Sequence, residues 1–321
     1  MVKIRDYKTG DAEKIFSLFS KHTPYKRDAA FWVWINRLLS EDKSIISVAE
    51  KDNQIIGHYA IIPRTCVINT KKYKTGLGIH AFVDPDYRDS ISIFNITSHA
   101  YKTAKEKNID FIYGFPNANY RLIQVKIEKW KKIALFNAFE KNSSNTEQCE
   151  LFFKWELFDK NNFDNLFVLN ELLELHSEYS NIFFQKPLMF LVNRYLIHPQ
   201  NLYQTWLLKG KEGYVGFIVT KIFDAENEKR AHIIDFILSP AYTKESLIKD
   251  FEIKFSNSVD KFVLWPFSKE FKQSLWKRSF SETGFETFFG IKFFSNVSKE
   301  EENQILDFDN WHLTMGDSDA F

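Results

Sequence analysis

Short stretches in which apolar and polar residues alternate, separated by segments with apolar residues every third or fourth place, run the length of this chain. Lys3 to Tyr7 predicts a strand. Asp11 caps a helix with Ile15, Leu18 and Phe19 at i, i+3 and i+4. Phe31 to Leu39 predicts a second helix carrying Phe31, Trp34, Ile35 and Leu38 on one face. Strand Ile45 to Ala49 turns at Lys51-Asp52-Asn53 into strand Gln54 to Ile62, which Pro63 is expected to end. Cys66 to Asn69 should pair loosely with strand Gly76 to Val83. Helix Ile93 to Lys107 and strand Phe111 to Phe115 complete a β-α-α-β-β-β-α-β series.

The same succession returns further on. Helices around Phe167 to His176 and Leu188 to Tyr195 precede strands Tyr203 to Leu208, Tyr214 to Phe223 and Ala231 to Leu238. Helix Lys244 to Ser256, strand Lys261 to Trp265 and a helix Lys269 to Phe280 closing at Gly284-Phe285 follow. Ile237-Leu238-Ser239-Pro240 answers Phe82-Val83-Asp84-Pro85, and Leu264-Trp265-Pro266 answers Gly114-Phe115-Pro116. A duplicated α/β unit is the economical reading. Its boundaries are expected at residues 1–141 and 151–321, joined by a polar, turn-rich linker over 142–150.

Composition narrows the function without naming it. Apolar residues make up 44% of the 321 residues, enough for two cores, and the 33 Phe, alongside much Lys, Asn and Ile, read as the composition of an AT-rich genome ahead of any special aromatic function. With 43 basic and 42 acidic residues, no global field steers nucleic acid or an anionic membrane, so any phosphate recognition must be local. Cys66 and Cys149 are far apart and have no metal-ligand spacing, so neither zinc nor another metal is expected. The opening residues lack a signal-peptide pattern and no apolar run reaches the roughly 20 residues of a membrane span, which predicts a cytoplasmic protein.

The series that ends Phe111-Ile112-Tyr113-Gly114-Phe115-Pro116-Asn117, about thirty residues after Asp84-Pro85-Asp86-Tyr87-Arg88, resembles the acyl-CoA-binding core of the Gcn5-related N-acetyltransferase (GNAT) superfamily. The repeat makes the resemblance one to tandem-GNAT proteins. It implies two domains, each a mixed, mostly antiparallel sheet flanked by helices: the first binds acyl-CoA, and the second, degenerate copy contributes to acceptor binding. In that family, backbone N–H groups of the strand before the Asp-Pro turn receive the pantetheine and the thioester carbonyl, here His80-Ala81-Phe82-Val83. The loop that wraps the pyrophosphate corresponds to Arg88-Asp89-Ser90-Ile91-Ser92-Ile93, where Ile91 and Ile93 replace the usual glycines. Either the Ser90 and Ser92 hydroxyls and the helix N-terminus take over from the missing amides, or this half does not bind CoA in the family manner.

His80 is the candidate base for the acceptor amine, with a buried structural histidine as the alternative. His58 reads as a sheet residue. Asn117 either meets the pantetheine or caps a helix, and Tyr120 is the candidate acid for the departing thiolate. In the second half Asp235 and Trp265, and in the tail Trp311, Asp317 and Asp319, are candidates for an acceptor pocket that holds an amine or sugar hydroxyls. The tail resembles the endings of tandem-GNAT proteins from bacterial surface-polysaccharide loci, which implies an N-acyltransferase acting on a nucleotide-linked deoxyamino sugar in lipopolysaccharide O-antigen synthesis. Acyl-CoA is the co-substrate, attack is direct without an acyl-enzyme, and the reading leaves room for a homodimer. Alternatives are a Fem-type aminoacyl transferase, and a ligand-binding scaffold whose two halves have lost catalysis.

Overall fold

A computed structural model describes all residues except 24–27, 147, 148, 180, 226, 267, 295, 296 and 321. The chain divides into two compact units. Unit 1 comprises residues 1–66, 71–134 and 288–306, and unit 2 comprises 67–70, 135–287 and 307–321.

Unit 1 begins with β1 (Lys3–Asp6), α1 (Asp11–His22) and α2 (Ala29–Val33), which continues as a π-turn over Trp34–Leu38. Then come β2 (Ile45–Lys51), β3 (Gln54–Ile68), β4 (Lys71–Val83), α3 (Ile93–Glu106), β5 (Phe111–Gly114) and α4 (Ala118–Lys126). The α1 N-cap is Gly10, at φ 94°, and not Asp11. Asp11 stands one place inside, where its carboxylate accepts from the Lys8 N–H and from Arg5. Asp52 and Asn53, at φ 49° and 61°, and Asn69 and Thr70, at 46° and 75°, supply the left-handed pairs that two-residue hairpins require.

Strand β3 does not stop at Pro63. Strand β2 starts with Ile45 opposite Ile61, so no β2 residue faces the missing N–H of Pro63, and the strand continues to Ile68. The expected loose pairing of Cys66 to Asn69 is therefore the tip of a long regular β3–β4 hairpin.

The sheet order in unit 1 is β1-β2-β3-β4-β5, followed by residues 288–293 of β13 (Ser281–Phe293). Only β4–β5 is parallel among the registered pairs. Helix α3 packs on β1, β2 and β4. Its Ile96, Ala100 and Ala104 stripe meets Ile45, Ala49, Ile56 and Ile61, all buried. Each such isoleucine contributes about 1.5–3 kcal/mol.

Unit 2 contains the rest of β6 (Lys131–Asn142), then β7 (Lys154–Leu157), α5 (Phe163–Tyr179), β8 (Ile182–Phe184) and α6 (Leu188–Leu191), which passes into a second π-turn over Val192–Leu196. It goes on through β9 (Gln204–Lys209), β10 (Tyr214–Ala225), β11 (Glu228–Leu238), α7 (Lys244–Phe255), β12 (Lys261–Leu264) and α8 (Lys269–Lys277). The chain ends with α9 (Lys299–Leu306) of unit 1 and the tail strand β14 (Trp311–His312) of unit 2. Its sheet order, β7-β9-β10-β11-β12-β6, repeats that of unit 1, again with a parallel pair at the matching place, β11–β12, while off this path β8 and β14 also pair in parallel.

Both units are thus mixed, mostly antiparallel sheets flanked by helices. The predicted helix end at Gly284-Phe285 is replaced by β13, because α8 stops at Lys277 and Ser279 reverses the chain at φ 62°. The region read as a linker starts inside β6, continues through a 3-10 turn at Ser143–Asn145, and in part (Glu147, Gln148) lies outside the described residues.

Candidate active site

Strands β4 and β5 are registered only from Thr75–Phe111 to Leu77–Tyr113. Beyond that point β5 ends at Gly114, while β4 continues for six residues to Val83 without a β5 partner. The parting therefore starts at Gly78. A Cβ there would overlap Tyr59 Oη, which explains the glycine.

Two residues on, His80 takes φ 55°, a left-handed conformation in mid-strand that costs a non-glycine residue about 1–2 kcal/mol. The strand nevertheless continues through Ala81 and Phe82 to Val83. The His80 carbonyl lies 3.1 Å from Nδ1 of buried His58. Phe19 packs against the rings of His58, His80 and Phe82, each at 5.6 Å between centroids, and Phe31 and Trp32 close the group. Two imidazoles thus stand in an aromatic cage built by α1, α2, β3 and β4.

Past Val83 the chain makes a 3-10 turn over Pro85–Tyr87, capped by Asp84, whose carboxylate accepts the Asp86 N–H. Burial opposes ionisation of Asp84, but that N–H, Lys21 at 3.2 Å and His22 at 3.3 Å outweigh it and hold its pKa below the usual carboxylate value. Arg88, Ser90 and Ser92 are exposed, whereas Ile91 is buried in the core. The loop amides turn inward: those of Ser90 and Ile91 both donate to the Tyr87 carbonyl, and Ser92 N–H donates to Asn95 Oδ1. The glycine places are therefore filled without an anion nest. What this loop offers a phosphate is the Arg88 guanidinium, the serine hydroxyls and the first turn of the 14-residue α3.

On α4, Asn117 is the N-cap, accepting the Tyr120 N–H at 2.9 Å. Tyr120 Oη lies 3.3 Å from Glu128, and this buried carboxylate is the hub of a network that the sequence reading missed. It accepts from Thr97 Oγ1 at 2.7 Å and from Tyr101 Oη at 2.5 Å; Trp130 Nε1 donates to Tyr101 Oη, and Lys292 Nζ to the Glu128 carbonyl. Burial first, then neighbouring negative charge, pushes the Tyr59, Tyr101 and Tyr120 phenols upward, so all three keep their protons. Tyr120 is thus a proton holder that already donates to Glu128.

In unit 2 the structure brings Asp235 and Asp317 together. Their carboxylates hold an amine, and it is the chain's own: Lys186 Nζ lies 2.8 Å from Asp235 Oδ1 and 3.0 Å from Asp317 Oδ1. Tyr195 Oη donates to Asp235 Oδ2 at 2.7 Å, and Thr314 Oγ1 lies 3.0 Å from Asp235 and 3.1 Å from Asp317. All of these residues are buried. A Cβ on Gly316 would overlap Tyr195 Oη. Trp265 and Trp311 lie in the core, against Phe136 and Phe184, while Asp319 is exposed.

With Ile237–Pro240 set on Phe82–Pro85, Asp235 occupies the place of His80. β11 is irregular there too, since Val219 faces Asp235 while Thr220 faces Ile233. The two π-turns also correspond, with Asn36-Arg37 in one and Asn193-Arg194 in the other. That repeated Asn-Arg pair is the sequence signal of the correspondence.

Residues 3–124 match the family profile described as an acetyltransferase (GNAT) domain. Over those residues the chain is similar to a GNAT acetyltransferase domain, and the enzyme class this supports is an acyl-CoA-dependent N-acyltransferase. Among solved structures, the whole chain resembles a GCN5-related N-acetyltransferase from Anabaena variabilis, with TM-score 0.69 and 12% identity over 91% of this chain and 73% of that one. A probable N-acyltransferase from Enterococcus faecalis gives TM-score 0.71 at 12% identity, covering 91% and 72%. The N-myristoyltransferase of Saccharomyces cerevisiae, solved with myristoyl-CoA, gives 0.59 at 9%, covering 90% and 82%. These identities speak for the fold alone. No curated protein sequence matches the chain significantly.

Proposed function

We propose that this protein transfers an acyl group from acyl-CoA to the amino group of a nucleotide-linked deoxyamino sugar, of the kind built into surface polysaccharides. The observation that carries the transfer is the parting of β4 from β5 at Gly78, with the left-handed His80 two residues on. Where β4 runs on past β5, its edge on the β5 side can lend backbone N–H groups to the pantetheine amides and to the thioester carbonyl, and an N–H near the developing oxyanion stabilises it. Arg88, Ser90, Ser92 and the first turn of α3 at Ile93 serve the pyrophosphate, and Asn117 and Tyr120 border the thiol end.

In this reading the neutral amine attacks the thioester carbon, a C–N bond forms, the C–S bond breaks, and the CoA thiolate leaves. His80 accepts or orients the amine proton. CoA thiolate is a good enough leaving group that Tyr120 need only hold its proton nearby. The first domain takes the donor and the second contributes to acceptor recognition. In that second role, Asp319 is the surface carboxylate, while Asp235 and Asp317 act through Lys186 and Trp265 and Trp311 support them.

The test is acyl transfer to a panel of nucleotide amino sugars, read by product mass, with His80→Ala and an Arg88→Ala/Ser90→Ala/Ser92→Ala triple variant. A large fall in kcat for the first and a rise in the KM for acyl-CoA for the second are expected. Unchanged transfer in both would refute the assignment.

A further inference from the structure

Behind the aromatic cage, unit 1 holds a cavity of about 290 Å³ whose lining includes Tyr7, Trp32, Asn36, Arg37, Lys43 and Lys107. Four features make it a built site. Asn36 sits on the π-turn, and such turns recur at functional positions. Its Nδ2 donates to the Trp32 carbonyl at 3.3 Å, while its Oδ1 is buried without a hydrogen-bond partner in a residue only 9% exposed. A buried acceptor left open costs roughly 1–3 kcal/mol, which a ligand N–H or O–H would recover.

Next to it, the rings of Tyr7 and Trp32 lie 5.4 Å apart and form an aromatic wall. Three cations, Arg37, Lys43 and Lys107, face one lining carboxylate, Asp6, which is itself drawn to His99 at 3.6 Å. Among the described residues Arg37 and Lys43 form no ion pair, and Lys107 Nζ reaches only the Lys43 carbonyl at 3.5 Å. Aromatic wall, open acceptor and surplus positive charge together suit one ligand class.

The geometry points to a nucleoside diphosphate site: the base lies on Trp32 and Tyr7, a base or ribose donor reaches Asn36 Oδ1, and the phosphates meet Arg37, Lys43 and Lys107. The Trp32 ring also contacts His58, 6.2 Å away, so this cavity and the imidazole pair share a wall. The inference deepens the proposed function by giving the acceptor's nucleotide a location, and it rests on that reading for the ligand's role as acceptor. Binding itself is measured without turnover.

The experiment is calorimetric titration of the full chain with UDP, ADP, GDP, uridine, pyrophosphate and CoA, on wild type and on Arg37→Glu/Lys43→Glu. Both replaced side chains are exposed, so the fold should persist, with an unchanged melting temperature as the check. The best diphosphate should bind at least tenfold tighter than uridine and tenfold tighter than pyrophosphate. The double variant should lose at least tenfold for that nucleotide and nothing for CoA. A nucleotide no tighter than pyrophosphate would remove the aromatic platform and overturn the inference, as would a nucleotide bound equally by the variant. Nucleotide binding without CoA binding would leave this site standing and bring down the transferase reading; the reverse result would do the opposite.

Discussion

Replacing Lys186 by Met should destabilise unit 2 more than any single surface change. The ammonium is 2.8 Å from Asp235 and 3.0 Å from Asp317, all three side chains are buried, and Met fills nearly the same volume. What is lost is the counter-charge of two carboxylates. Breaking a buried pair by deleting one partner costs about 3–5 kcal/mol, a large share of the 5–15 kcal/mol of a typical domain. Tyr195, Thr314 and the Phe236 N–H still donate to Asp235, which keeps the figure toward the lower end. Urea unfolding followed by far-UV circular dichroism and tryptophan emission would read the loss. Adding Asp317→Asn to Lys186→Met should return about 2 kcal/mol, because one stranded charge is gone. A loss below 1 kcal/mol for the single variant, or no recovery in the double, would show that the cluster is not coupled as its distances imply.

Other consequences are as concrete. Glu128→Gln keeps one acceptor for Thr97 and Tyr101 and strands the other hydroxyl, so denaturant unfolding should show a loss of about 1–3 kcal/mol. Gly78→Ala should cost about 1–3 kcal/mol through overlap with Tyr59 Oη, and Tyr59→Phe should restore most of it in the double variant, as thermal melts would show. Burial, then the charges of Lys221 and Arg230, holds His232 neutral down to about 3. A depressed histidine pKa contributes stability that is present above 6.5 and lost as pH falls from 6.5 toward 3. Wild type should therefore lose up to about 1 kcal/mol per pH unit more than His232→Phe across that window, and parallel curves for the two proteins would contradict it.

Much of the architecture was legible because strand alternation and helical spacing both follow from burial on one face. The Asp84-Pro85 turn, the α3 stripe and the Gly114 strand end all lie where pattern put them. Pro63 misled because its effect depends on whether a neighbour needs its N–H, and that is a tertiary fact. The Gly284 stretch misled because a glycine past a helical run also fits a strand, and only the turn at Ser279 decides.

Side-chain partnerships were least visible. Asp235 and Asp317, 82 residues apart in number, meet through Lys186 and Thr314, and Glu128 draws on Thr97, Tyr101 and Tyr120 from two helices. Neither cluster has a spacing that local sequence could reveal. The paired Asn36-Arg37 and Asn193-Arg194 could have been found, since both follow an apolar run at the same place in the repeat.

The account depends on the pantetheine arm entering where β4 leaves β5. Amide hydrogen exchange with and without saturating acyl-CoA tests this directly. Protection should appear at Gly78 to Val83 and in the first turn of α3 around Ile93, with the outer strand β1 unchanged. If acyl-CoA binds and those amides exchange at the rate of the free protein, the donor site lies elsewhere and the central assignment is wrong.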